Sequence, residues 1–149
     1  MTERASPGAP AATAPKPPAR VTTTWAGGQR FDSGRPGGPT ARFDGSGETG
    51  QGPVDGVLSA LASCVSIDVV EILAKRRTPA ATLTVDVVGQ RADVIPRRLK
   101  SVALEFHITG AGIEREHAER AIDLSITRYC SVRDSLAKDI TIDWSLTLA

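Results

Sequence analysis

The alternation of apolar and polar residues predicts several strands. It is clearest at the C-terminal end, where every second residue is apolar, which indicates a half-buried strand. These positions are Ile140, Ile142, Trp144, Leu146 and Leu148. The same period of two predicts strands over residues 82–87 and 102–109. Nearer the N-terminus, β-branched and aromatic residues around a Gly-Gly pair predict three short strands, at residues 21–25, 29–32 and 40–44.

A long helix is predicted between the third and fourth strands, after a glycine-rich segment (45–52) that has the composition of a flexible loop. Pro53 suits the first turn of this helix, where a backbone N–H is not needed, and Pro79 prevents its continuation. Its apolar residues fall on nearly all faces, so the helix must be enclosed on several sides. Asp68 and Glu71 interrupt the apolar run, so we do not predict a membrane span. The apolar positions at helical spacing are Val54, Val57, Leu58, Leu61, Val65, Val69, Ile72 and Leu73.

A second helix is predicted from Glu114 to about Tyr129. Ser131 and Asp134 have the spacing of an approximate capping box, which predicts a short helix that begins directly after Cys130. The order is then three strands, a long helix, two strands, two helices and a last strand. Separated antiparallel strands and helices argue for an α+β fold rather than a doubly wound parallel sheet.

Length, composition and charge narrow the class of protein. A chain of 149 residues fits one domain, predicted at 21–149. Residues 1–20 are rich in Ala and Pro and are predicted to be a disordered tail, since they lack the apolar surface that ordering requires. Basic and acidic residues number 18 and 17 and are not clustered, so neither nucleic acid nor an anionic membrane is an expected partner. The tail has no apolar stretch of a signal peptide, and we expect a cytoplasmic protein.

The two cysteines, Cys64 and Cys130, carry the candidate chemistry. They have no CxxC spacing, and His107 and His117 are placed on polar positions, so neither a thioredoxin-type motif nor a metal site is predicted. A thiolate that cleaves a peroxide needs a stabilised negative charge and a cation beside the leaving oxygen. An alternative for each cysteine is that it is a small buried hydrophobic residue.

Local charge gives different expectations for the two thiols. Cys64 lies well inside the long helix and has the acidic Asp68 one turn later, which disfavours a thiolate if the two are close. Cys130 precedes a predicted helix start and is flanked by Arg128 and Arg133, so local charge predicts that it is the more acidic thiol.

The cation for Cys64 must come from elsewhere in the fold. By position, Arg30 in the second strand is the first candidate, and Arg42 is the second. Arg30 could equally be a solvated strand residue, and it could pair with Asp68 or Glu71.

Several motifs in one order resemble the OsmC/Ohr family, named for osmotically inducible protein C and the organic hydroperoxide resistance protein. The resemblance covers residues 21–149. The motifs are weak singly and specific as an ordered set. They are Trp25-Ala-Gly-Gly with Phe31, Pro53 eleven residues before Cys64, the run Cys64-Val-Ser-Ile-Asp-Val-Val-Glu-Ile-Leu, Arg91 with Pro96, and Tyr129-Cys130-Ser-Val.

This resemblance implies an OsmC-like fold in which antiparallel sheets from both subunits of an intertwined homodimer wrap around long central helices. It also implies a cysteine-based peroxidase that reduces organic hydroperoxides, with Cys64 as the peroxidatic and Cys130 as the resolving cysteine. Such an enzyme needs no prosthetic group. An external dithiol, in this family often a lipoylated protein, recycles it.

One position departs from the best-studied peroxidases of the family. They have a glutamate directly after the proline, where this chain has Val54. Asp55 matches the looser Pro-x-acid pattern of the broader OsmC-like branch and is our candidate acidic site residue, although the helix dipole alone explains a carboxylate there. The alternative function is therefore a dimeric OsmC-like binding protein with little peroxidase activity.

Overall fold

The predicted order of elements is found in a computed structural model that describes residues 13–149. Residues 13–20 of the predicted tail are exposed and have no regular secondary structure, and residues 1–12 lie outside the described part. The elements are β1 (Thr22–Trp25), β2 (Arg30–Gly34), β3 (Thr40–Asp44), α1 (Pro53–Lys75), β4 (Thr82–Arg91), β5 (Leu99–Thr109), α2 (Arg115–Leu124), a π-helical turn (Ser125–Tyr129), α3 (Ser131–Ser135) and β6 (Thr141–Leu148).

The first sheet is a three-stranded antiparallel meander of β1, β2 and β3. Gly27 and Gly28 both have positive φ in the β1–β2 turn, a conformation that glycine adopts without strain. The sheet is tied to α1 through Phe43, whose ring lies so close to Gly56 that a side chain there would clash with it. Phe31 in the central strand stays 40% exposed within one chain.

The second sheet has the order β4-β5-β6 and forms the core with α1 and α2. Alternate residues of β5 are buried, as the period of two predicts. One pairing differs from the predicted antiparallel sheets, because β6 runs parallel to β5. The chain crosses over through α2 and α3 between these strands, and a helical crossover of this kind connects parallel neighbours. The α+β class is confirmed.

Helix α1 buries a single face in the core, made of Leu61, Val65, Val69 and Leu73. Ile67 and Val70 lie elsewhere on the helix and are 61% and 44% exposed, so one chain does not provide the enclosure that the sequence predicts. By length and composition α1 could also cross a membrane, but core helices of soluble proteins have the same properties. Its buried face is that of a core helix.

The second predicted helix is split. The α-helical part ends at Leu124, and the next turn widens so that the Cys130 N–H donates to the Ser125 carbonyl at 2.8 Å. The buried Ser125 hydroxyl donates to the Ala121 carbonyl at 2.7 Å. Helix α3 begins directly after Cys130, as predicted, but its N-cap is Cys130, and the predicted capping box of Ser131 and Asp134 does not form the cap.

Candidate functional site

The two cysteines are neighbours in space despite their separation in sequence. Helix α1, which carries Cys64, contacts the π turn and α3, and Cys130 is the residue between those two elements. Both thiols are free; Cys130 is part of the hydrophobic core, and the half-buried Cys64 packs against that core. Burial raises the pKa of the Cys130 thiol, and the nearby Cys64 side chain raises it further.

Cys130 occupies a buried site with a specific backbone contact. It is only 4% exposed, and it caps α3, because its Sγ accepts a hydrogen bond from the Arg133 N–H at 3.2 Å. That N–H opposes the effect of burial, but the pKa of Cys130 still lies above its usual value. The Arg133 guanidinium donates to the Ile140 carbonyl at 3.1 Å instead of approaching the thiol. The expectation of an acidic Cys130, drawn from its charged sequence neighbours, is therefore wrong.

Arg30 is hydrogen-bonded within its own turn, and to no other predicted site residue of the part of the chain that the structure describes. It is the exposed first residue of β2, and its Nε donates to the Gly27 carbonyl of its own turn at 3.2 Å. The second candidate, Arg42, forms a two-pronged ion pair with Asp32, with distances of 2.5 and 2.9 Å. Hydrogen bonding to Arg42 holds the pKa of Asp32 below its usual value. Arg42 is thus occupied within the first sheet.

Asp55 has a structural partner at the start of α1. Its Oδ2 accepts a hydrogen bond from the Gly52 N–H at 3.0 Å, and Gly52 is the N-cap of the helix. Asp55 precedes Cys64 by nine positions, or about 13 Å along a helix axis. The structure therefore places Asp55 at the helix start and away from the thiols of the same chain.

A buried carboxylate that the sequence did not indicate orders the loop before α1. Asp44 is 1% exposed and accepts hydrogen bonds from the backbone N–H and the hydroxyl of both Ser46 and Thr49, at 2.6–3.0 Å. The two hydroxyls, followed by the N–H groups, hold the pKa of Asp44 well below its usual value. The glycine-rich segment is therefore tied by these bonds, although its composition is that of a flexible loop. The only signal in the sequence was the placement of Ser46 and Thr49 after an aspartate.

A cavity of about 810 Å³ lies beside the π turn and α3, and Cys130 is part of its wall. Its charged wall residues come from one stretch of sequence, so the sequence shows that they cluster around Cys130. The sequence does not show that they enclose a cavity. They are Arg128, Arg133, Asp134, Lys138 and Asp143. Within residues 13–149, no group of three or more His, Cys, Asp or Glu side chains is arranged to hold a metal ion.

Comparison with known proteins agrees with this architecture. The OsmC-like protein family model matches residues 45–145. Protein YhfA of Escherichia coli K12 is 34% identical over 122 residues, which cover 81% of this chain and 91% of YhfA.

Two solved structures show the same fold at low identity. The OsmC-like protein of Mycoplasma pneumoniae has a TM-score of 0.74 at 18% identity, over 87% of this chain and 96% of that protein. The organic hydroperoxide resistance protein OhrB of Bacillus subtilis has a TM-score of 0.58 at 15% identity, over 87% and 98%. On the family match and the YhfA identity, the chain belongs to the OsmC-like protein family.

Proposed function

We propose that this protein is a thiol-dependent peroxidase that reduces organic hydroperoxides. The observation that supports it is the proximity of two free thiols, Cys64 and Cys130, from distant parts of the chain. The Cys64 thiolate attacks one peroxide oxygen, the O–O bond breaks, and the other oxygen leaves as an alcohol after protonation. Cys64 becomes a sulfenic acid. Cys130 then attacks that sulfur, water leaves, and a disulfide forms.

Burial supports this division of roles. The attacking group must be a thiolate, and burial raises the pKa of Cys130, which makes it the poorer first nucleophile. A buried cysteine beside Cys64 is well placed to act second, when the sulfenic acid needs a nearby thiol.

A homodimer would complete the site. Trp25 is 66% exposed and Phe31 is also exposed in the first sheet, while α1 exposes Ile67 and Val70. These surfaces can cover each other in two copies. Since Arg30 is exposed and contacts neither cysteine through a hydrogen bond in its own chain, we assign its catalytic role to the site of the partner. We expect an obligate dimer that buries more than about 2,000 Å²; a monomeric mass by light scattering at micromolar concentration would contradict this.

Turnover needs an external dithiol, and a lipoylated protein of the cytoplasm is the proposed donor. The proposed tail, residues 1–20, has no part in this reaction. Its removal is expected to leave dimerisation and the melting temperature nearly unchanged, because apart from Met1 the tail lacks large apolar residues with which to pack.

The test is a thiol titration with cumene hydroperoxide. One equivalent should remove both titratable thiols and link the two cysteine peptides in a non-reducing digest. Cys64→Ser should not react, whereas Cys130→Ser should react once and then over-oxidise under excess peroxide. If Cys64→Ser reacts normally and Cys130→Ser does not, the roles are reversed. If both thiols survive, the protein is not a peroxidase of this kind.

A second candidate function is a dimeric binding protein with little peroxidase activity. Val54 stands where the best-studied peroxidases have glutamate, and Asp55 is engaged in capping α1. Retention of an apolar ligand without consumption of hydroperoxide, in the presence of dihydrolipoamide, would favour this candidate over the first.

A further inference from the structure

The cavity beside α3 is not needed for the oxidative half of the proposed reaction, in which peroxide is cleaved and the disulfide forms. Of the residues described, Cys130 lines this cavity and Cys64 does not. Peroxide is cleaved at Cys64, and Cys130 acts only afterwards, from within the protein. An open approach to Cys130 matters only once the disulfide exists and an external thiol must reach it.

We infer that the reducing dithiol enters this cavity and attacks Cys130 Sγ of the disulfide, so that Cys64 leaves as the thiolate. This inference rests on the proposed function. The first step forms a mixed disulfide between the dithiol and Cys130 and breaks the bond to Cys64, which takes the electron pair. The second thiol of the donor then attacks the donor sulfur of the mixed disulfide. Cys130 leaves as a thiolate, the donor becomes a cyclic disulfide, and its two protons end on the two cysteines.

Access favours attack at Cys130. Thiol–disulfide exchange depends on which sulfur the incoming thiolate can reach. Cys64 is the more exposed cysteine in a single chain, and Cys130 is only 4% exposed, but the approach to Cys64 runs past the apolar Ile67 and Val70 of α1 and is the one that the proposed function gives to the organic peroxide. The cavity is a separate approach that ends at Cys130. The wall of the cavity is largely polar and charged, as expected of a surface that remains in contact with water.

The leaving group favours the same direction. Exchange is faster when the departing thiol has the lower pKa. Burial raises the pKa of Cys130, so an attack on Cys64 would have to expel a poor leaving group. Cys130 must leave only in the second step, where ring closure by the tethered thiol is fast. There the Arg133 N–H, 3.2 Å from Sγ in the reduced protein, stabilises the departing thiolate.

Charge in the cavity suits an incoming thiolate. Lys138 is paired with Asp134 at 2.6 Å, and Arg133 is hydrogen-bonded to the Ile140 carbonyl. Arg128 is a further exposed cation of the same wall, and no salt bridge occupies it among the described residues. It is expected to raise the local concentration of anionic thiols.

The decisive experiment identifies the attacked sulfur. The wild-type disulfide is formed with diamide, without peroxide, and is treated briefly with 2-mercaptoethanol. After acid quenching and alkylation of free thiols with iodoacetamide, peptide mass spectrometry locates the adduct. At the earliest times we expect mercaptoethanol on Cys130 and the alkyl group on Cys64, in an excess of about tenfold. An equal distribution, or an excess on Cys64, would overturn the inference while leaving the peroxidase proposal intact. Failure to form any Cys64–Cys130 disulfide would overturn both.

A charge variant gives an independent readout. Arg128→Gln should slow reduction of the disulfide by mercaptoacetate about threefold relative to reduction by neutral 2-mercaptoethanol, as expected for loss of one steering charge. Arg97→Gln is the matched control, since Arg97 is exposed at the β4–β5 connection and does not line the cavity. An equal effect of the two variants, or no dependence on the charge of the thiol, would contradict entry through this cavity.

Discussion

The two sheets of this protein differ in how much of their apolar surface is buried within one chain. In the second sheet, alternate residues of β5 such as Phe106 are fully buried against α1 and α2. In the first sheet, all four residues of β1 are exposed, including Trp25, and Phe31 is only partly covered. One sheet therefore completes its core within the chain. The other packs Phe43 against α1 but leaves Trp25 and Phe31 largely uncovered by its own chain.

The first sheet is nevertheless well defined by polar contacts. Arg42 and Asp32 form an ion pair across β2 and β3, and Asp44 fixes the loop that leads into α1. The partly exposed Arg42–Asp32 pair sets a geometry but contributes little net stability, whereas the contacts of Asp44 are buried. The comparison indicates that the first sheet packs against a surface outside its own chain. The exposed side of α1, with Ile67 and Val70, is apolar as well and is a suitable partner surface.

The largest expected effect is in the second sheet. Phe106→Ala should lower the free energy of unfolding by about 3–5 kcal/mol, because it leaves a cavity in a core that does not depend on another chain. The loss should be the same at protein concentrations tenfold apart in chemical denaturation. The matched variant Phe31→Ala should instead weaken association, since its ring is covered only in the dimer, so its dimer should dissociate at a higher protein concentration than the wild-type dimer.

The outcome for Phe31→Ala decides whether the comparison holds. A cost below about 1 kcal/mol at every concentration is the behaviour of a surface residue. That result would mean that the first sheet stays exposed in solution, and it would contradict the proposed dimer.

The next prediction concerns Arg30, the candidate cation of the first sheet. Arg30→Ala should slow peroxide reduction by about 10²- to 10³-fold, the usual effect of removing one preorganised group that stabilises developing charge. The melting temperature should change little, because Arg30 is exposed and its side chain contacts only its own turn. Stopped-flow measurement of Cys64 oxidation gives the rate.

Arg42→Ala is the control for Arg30. It breaks the pair with Asp32 and should affect stability more than the rate. If Arg30→Ala reacts at the wild-type rate and Arg42→Ala is slow, the catalytic cation was assigned to the wrong strand.

The sequence predicted the order of the elements because periodicity and capping are local signals. The start of α1 at Pro53 follows from such a signal. The start of α3 after Cys130 was predicted from Ser131 and Asp134, although Cys130 itself is the N-cap. Alternation carries no information about strand direction, so the parallel pairing of β5 and β6 could not be predicted. The sequence shows Ser46 and Thr49 shortly after Asp44, but it does not show that both of them donate hydrogen bonds to the Asp44 carboxylate.

The candidate site was less predictable, since it depends on contacts between distant segments. The proximity of Cys64 and Cys130 was reached only through the family resemblance. Arg133 shows why charge along the chain misled: its guanidinium turns to the Ile140 carbonyl, and only its backbone N–H meets the thiol. The proposed role of Arg30 depends on the position of a second copy, which no pattern along the sequence encodes.

A pH experiment sharpens the contrast between polar contacts in the two regions. The pKa of Asp44 is lowered by folding, so its charged form stabilises the native state above the unfolded value of about 4, and this contribution is lost as the pH falls below it. Asp44→Asn should therefore lower the melting temperature at pH 7, and the difference from wild type should shrink below pH 4.

Asp139→Asn is the matched control next to the second sheet. Asp139 pairs with Arg98 at 2.7 Å, which lowers its pKa as well, but both side chains are largely exposed. Its variant should shift the melting temperature much less than Asp44→Asn at pH 7. Equal shifts in melting temperature would show that the burial of Asp44 does not make its hydrogen bonds more stabilising than the exposed pair of Asp139.

The smallest predicted effect separates a structural from a catalytic role for Asp55. Asp55→Ala should lower the free energy of unfolding by about 1 kcal/mol, since the N-terminal Gly52 N–H of α1 loses its acceptor. Asp55→Asn keeps an acceptor oxygen and should retain most of that stability. Neither variant should change the rate of Cys64 oxidation by more than about twofold, because Asp55 lies about 13 Å along α1 from the thiol of its own chain. Suppose that both variants lose tenfold or more in rate while Asp55→Asn keeps its stability. The rate would then depend on the negative charge of Asp55 and not on its hydrogen bond to the Gly52 N–H. In the proposed dimer, such a loss would mean that the Asp55 carboxylate acts with Arg30 at the partner's thiol. Asp55 would then replace the glutamate that the best-studied peroxidases have at the position of Val54.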